Sequence, residues 1–233
     1  MKKLLLSSAV LALTACGGSG MNYSSSSMSM SASTSTMATS LQSASAPQEP
    51  FNIPATQLSA MVNGNTYTLV YSETANTGTT SFDGQQANSS TISVAISENG
   101  GTPVMETTTA YYLLSPYTPL GISGTAAGGI AYQIMFNNPT GLPAMLTPGE
   151  SGQLVSGNFS AGTITGTFTQ NYMVTANNAS TVTLTLSGNV MLMGGSTMND
   201  SAVSQTTFTV DATGNIKLVS AEVTINGMMY TFM

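Results

Sequence analysis

The sequence predicts an all-β fold, a mainly antiparallel sheet arranged as a sandwich or an open barrel, behind a disordered N-terminal tether. Two observations carry this. Threonine alternates with Val, Ile or Leu over short runs, as in Thr181-Val182-Thr183-Leu184-Thr185-Leu186, and β-branched side chains at period two fit a pleated sheet with one buried face. The runs are separated by turn dipeptides such as Asn63-Gly64 and Asn226-Gly227, which favour two-residue hairpins, while no segment carries a convincing helical period. An apolar fraction of 41% is enough for a core, although only 5% of residues are charged, so Ser, Thr, Asn and Gln must keep the surface wet.

Taken in order, the chain opens with Lys2 and Lys3, an apolar run from Leu4 to Leu13, and a small-residue exit at Ala15, the layout of an export signal. The run is about half of the roughly 20 residues that a membrane-spanning helix needs. Residues 1–15 are therefore expected to be a signal peptide. Residues Gly17 to Pro50 are nearly all Ser, Thr, Ala, Gly and Met, with Leu41 the only aliphatic side chain larger than Ala. Such a segment buries too little to offset its ordering entropy, so 16–50 reads as a tether with a reach of about 30–35 Å.

From Phe51 to the end, 51–233, the pattern reads as a single β-rich domain. Strands are expected at Thr66 to Tyr71, Thr91 to Ile96, Ile130 to Phe136, Thr163 to Thr169, Thr181 to Leu186, Thr206 to Val210 and Lys217 to Ile225. Asp211-Ala212-Thr213-Gly214 suggests a longer hairpin, and Asp83-Gly84 is turn chemistry. Pro116 to Gly152, rich in Gly and Pro, reads as a crossover whose prolines keep most of it out of central strands. It separates two halves of similar character, about 55–137 and 153–233. Val62-Asn63-Gly64-Asn65-Thr66-Tyr67-Thr68-Leu69 aligns with Ile225-Asn226-Gly227-Met228-Met229-Tyr230-Thr231-Phe232. Two readings stay open: a duplicated module with a ligand at the seam, or two ordinary hairpins from a Thr-rich alphabet.

Leu13-Thr14-Ala15-Cys16 resembles the lipobox of bacterial lipoproteins. The resemblance implies diacylglyceryl transfer to Cys16, cleavage before it and acylation of the new amine, hence a palmitate-type lipid anchor in the cell envelope. Gly17 stands where an Asp would resemble an inner-membrane retention signal, so the resemblance favours the outer membrane. Several acyl chains at about 0.8 kcal/mol per buried CH₂ hold far more firmly than one. Cys16 is the only cysteine, so no intramolecular disulfide can form. The stretch Leu142 to Gly152 and the Thr-rich β half ending in Val223-Thr224-Ile225-Asn226-Gly227 are similar to a group of uncharacterised β-rich proteobacterial outer-membrane lipoproteins, a group that brings no known activity.

Composition excludes several chemistries. There is no histidine, and three lysines face nine acids, two of the lysines lying in the expected signal. A nucleic acid would meet almost no phosphate contacts. A His-based triad and a His/Cys zinc site are equally excluded. The acids Glu49, Glu73, Asp83, Glu98, Glu106, Glu150, Asp200, Asp211 and Glu222 mostly neighbour Gly, Asn or Ser, where a solvated turn acid is the default, so a carboxylate hydrolase is not favoured. Met28-Ser29-Met30 has a spacing suited to Cu(I), a distant third reading. No catalytic residue, metal or cofactor is expected. The leading reading is a non-catalytic envelope lipoprotein that binds a protein, glycan or apolar ligand, and the alternative is a purely structural or surface-display lipoprotein. Tyr111, Tyr112 and Tyr117 form the candidate binding loop, because nowhere else do aromatic rings with polar tips concentrate as tightly.

Overall fold

The computed structural model describes residues 41, 43–46, 52–114, 117–126, 130–137, 139–193, 201–225 and 228–233. Its strands are β1 (Ala44–Ser45), β2 (Ile53–Val62), β3 (Asn65–Ala75), β4 (Thr80–Phe82), β5 (Gln85–Glu98), β6 (Val104–Leu114), β7 (Tyr117–Ala126) and β8 (Ile130–Phe136). They continue with β9 (Met145–Leu146), β10 (Ser151–Ala161), β11 (Ile164–Ala176), β12 (Thr181–Met193), β13 (Ser201–Asp211), β14 (Ile216–Ile225) and β15 (Met228–Phe232). The all-β expectation holds. The large sheet runs β15-β14-β13-β12-β11-β10-β8-β7-β6-β5-β3-β2, an antiparallel meander in which β4 adds to β5. Its two ends meet where Ser59 and Met233 exchange backbone N–H···O bonds, both of 3.0 Å, so the sheet is a nearly closed barrel.

Period-two alternation decides what faces inward. Val182, Leu184 and Leu186 of β12 are buried, whereas Thr181, Thr183 and Ser187 lie outward and are partly exposed. A barrel that spans lipid has the reverse arrangement, with an apolar band outside and polar groups within. Closing twelve strands makes a wider tube than eight, and large aliphatic and aromatic side chains pack inside it. Phe168, Phe208, Leu69, Ile92, Ile122 and Ile134 are all but completely buried and belong to one contiguous cluster. The barrel is filled at their level.

Turn chemistry sets the register. Asn63 and Gly64 adopt φ of 52° and 80°, the paired left-handed conformation of a type I′ hairpin, and Asp83-Gly84 and Asn99-Gly100 repeat it. Asn226 and Gly227 lie outside the described residues, but the strands that they join pair antiparallel. The aligned segments around Asn63 and Asn226 occupy the first hairpin of the N-terminal half and the last of the C-terminal half. They meet across the closing seam, where the matched rings Tyr67 and Tyr230 pack edge to face at 5.2 Å.

Two expectations are corrected. Tyr117–Ala126 is a central strand, although Pro116 to Gly152 reads as a crossover. Tyr111 pairs with Gly121 and Tyr112 with Pro119, so Leu120 of β7 is the extra residue of a β-bulge, the kind of interruption in the ladder at which a residue without an N–H is tolerated. The tether reading through Pro50 also runs too far. Ala44 pairs with Leu146, both are fully buried, and Ser45 and Ala46 donate N–H bonds to the carbonyls of Ala212 and Ala144. These residues plug the barrel end that carries the Asp211–Gly214 turn. Removing residues 17–50 is therefore expected to cost about 1–3 kcal/mol, from lost backbone bonds and apolar burial, in a urea titration; a true tether would cost nothing measurable.

Candidate functional site

Along β6 the odd positions Met105, Thr107, Thr109 and Tyr111 lie on the outer wall, and Glu106, Thr108, Ala110 and Tyr112 point inward and are buried. The outward residues of β7, β8 and β10 continue the wall with Ser123, Thr125, Ala131, Gln133 and Ser160. Together with Gly124, Tyr132 and Gly162 they line a trough of about 820 Å³. Hydroxyl and amide groups dominate, and none of these lining residues is charged.

Glycines explain the curvature here. A Cβ on Gly121 would stand 2.3 Å from the Ile134 carbonyl oxygen, and one on Gly157 would stand 2.3 Å from that of Met135, so β8 is approached closely from both neighbours. Such approaches mark a barrel corner. The bare surface at Gly121 is covered by the ring of Phe82, which stacks on Tyr111 at 4.2 Å. Tyr111 in turn shares a 3.0 Å hydrogen bond with Ser123, so the aromatic pair is joined to the trough lining.

The same device operates beneath the trough. Gly124 pairs with Tyr132, whose ring lies against it and reaches across β7 to β6. The Tyr132 hydroxyl donates to Glu106 Oε1 at 2.8 Å and shares a hydrogen bond with Thr108. Burial pushes the Glu106 carboxyl up to about 7, only partly offset by the Tyr132 hydrogen bond. Glu73 on β3 is wholly enclosed and accepts from Ser90 Oγ at 2.8 Å and from Tyr71 OH at 3.3 Å. Desolvation raises it to about 8 despite both donors. With β5 between their strands and one inward step of offset, the two acids sit on the order of 12 Å apart along the backbone.

Glu73 and Glu106 depart from the solvated turn acid that their neighbours in sequence predict. The signal was present: Glu73 continues the inward series Leu69, Tyr71, and Glu106 opens the series Thr108, Ala110, Tyr112. Asp211 does behave as a turn acid, held down to about 2 by hydrogen bonds from Thr213 and Asn215. Of the candidate loop, Tyr112 is core: it is 3% exposed and donates its hydroxyl to the Ser89 carbonyl at 3.2 Å. Tyr111 is half-buried on the outer wall, and the side chain of Tyr117, at the start of β7, lies outside the described residues. Cys16, Glu49, Asp200 and the methionines Met28 and Met30 also lie outside them. Among the described residues, no three His, Cys, Asp or Glu side chains converge as metal ligands. No family model, curated protein or solved structure matches the chain.

Proposed function

We propose that this protein is a non-catalytic lipoprotein of the bacterial cell envelope, anchored by lipid on Cys16, whose barrel binds a polar, uncharged partner through the trough on β6, β7, β8 and β10. The observation that carries the reading is the trough itself: a concave wall of about 820 Å³, without a charged side chain among its lining residues, bordered by the Phe82–Tyr111 pair. Binding surfaces of this kind depend on shape and hydrogen bonding, because no ion pair is on offer. The position of β1 supports the orientation. The chain from Cys16 reaches the barrel at the plugged end, whereas Met105 and Gly162 place the trough near the opposite end. A lipid anchor would then leave the trough on the side wall near the end of the barrel far from its membrane, and Gly17 after Cys16 favours the outer membrane.

The purely structural reading rests on the filled interior, which leaves no room for a carried apolar ligand at the level of Ile92 and Leu184. Paired substitutions separate the two readings. Ser123→Arg puts a long cation into the trough, and Thr183→Arg puts the same group on the outer wall of β12. In capture from envelope extract, Ser123→Arg is expected to lower recovery of bound material at least tenfold and Thr183→Arg to leave it unchanged. Equal recovery by both variants and the wild type would support the structural reading.

A further inference from the structure

The register of the wall extends the trough into an ordered array. Thr91 pairs with Thr109, Thr109 with Ser123, Ser123 with Gln133, Gln133 with Ser160, and Ser160 with Thr165. Six consecutive strands thus present one hydroxyl or amide each on the outer face, at steps of about 4.8 Å across the strands. One step away, a second row runs through Ser93, Thr107 and Thr125. Hydroxyls and the Gln amide donate and accept alike, so the rows can answer a ligand that does the same at every repeat.

Other occupants fit less well. An anion or a cation finds no counter-charge among the lining residues. A peptide strand needs free backbone edges, and β6, β7, β8 and β10 are each paired on both sides. An apolar ligand finds a floor of Thr, Ser and Gln. The ligand class with neutral, repeated, two-way hydrogen-bonding groups is an uncharged polysaccharide. Resting on the trough being the contact surface, we infer that its ligand is a linear neutral glycan laid across strands β6 to β10 along the Thr109–Ser123–Gln133–Ser160 row, with the Phe82–Tyr111 pair flanking one side.

Affinity electrophoresis of the full mature chain tests this, in native gels containing a soluble β-glucan, an α-glucan, a galactomannan, or the neutral polysaccharide fraction of the source envelope. At least one gel is expected to retard the wild type, with retardation unaffected by 1 M salt because no ion pair contributes. The double variant T109V/S123A, which removes two hydroxyls from the outer wall, one of them the Tyr111 partner, is expected to weaken the interaction at least tenfold. Single Thr109→Val serves if the double variant melts lower. Retardation by none of the neutral polymers, or retardation that the hydroxyl deletions leave untouched, overturns the glycan assignment. If Ser123→Arg nonetheless removes a protein from the captured material, the trough remains the contact surface with a protein as its partner. If it removes nothing, both readings fall together.

Discussion

Stability is expected to fall as the pH rises from about 4.5 through about 8, the reverse of a protein held by paired carboxylates. Glu73 and Glu106 are inward, buried and desolvated, so the folded state binds their protons more tightly than the unfolded chain does. For an acid whose folded pKa is raised, the stabilising contribution is complete below the unfolded value of 4.5. It is lost as the pH climbs to the folded values, about 7 for Glu106 and about 8 for Glu73. At roughly 1.4 kcal/mol per tenfold change, each acid contributes on the order of 3–5 kcal/mol to the difference between the ends of that window. Replacing both by Gln keeps the shape and most hydrogen bonds while removing the proton to be lost. E73Q/E106Q is therefore expected to resist urea better than wild type at pH 8, match it near pH 4, and show a nearly flat profile between. A wild-type profile that rises with pH would mean that these carboxylates are solvated in the folded protein.

Gly121→Val is expected to be severely destabilising, on the order of 3 kcal/mol or more, because the new side chain has nowhere to go. Its Cβ would meet the Ile134 carbonyl oxygen at 2.3 Å and the Phe82 ring at 2.6 Å. The ring can be evicted, but the backbone oxygen of a paired central strand cannot. Removing the ring with Phe82→Ala should accordingly recover little in the double variant, and thermal melts of the two single variants and the double variant would show this. Full recovery would place the clash in the aromatic pair alone. Gly64 makes the contrasting case, since nothing stands within 4 Å of its Cβ position and only its φ of +80° resists substitution.

Much of the fold is legible in residues that obey a single local rule. Ile130 to Phe136 is a strand over the very residues that the sequence predicts, and Asn63-Gly64 forms the hairpin that its dipeptide predicts. The strands that escape the pattern each carry a polar or breaking residue on the inward face or in the ladder. In β6 the inward series begins with Glu106 and Thr108, so the apolar period is hidden until Ala110. In β7 Pro119 reads as a breaker until the bulge at Leu120, beside it in the same strand, gives it a place. In β10 Gly157 leaves an inward position without an apolar mark, because the backbone of β8 occupies the space that a side chain would need. Ala44 escapes because alanine in a Ser-rich run has no signal of its own, and its burial is set by Leu146, a hundred residues away in sequence.

The trough was legible only as a composition. Threonine and serine on the outer wall follow from alternation, but their alignment into rows depends on the register between six strands, which no local pattern encodes. The tyrosine cluster pointed to the right strand and to one useful ring. Tyr111 reaches the trough through Ser123, whereas its neighbour Tyr112 turns into the core by the ordinary alternation of a strand.

The most direct measurement is photo-crosslinking in intact cells from a reactive residue placed at position 123, compared with the same residue at position 183 on the outer wall of β12. Binding through the trough predicts a discrete adduct, of protein or glycan, from position 123 and none above background from position 183. The same adducts from both positions, or none from either, would contradict it.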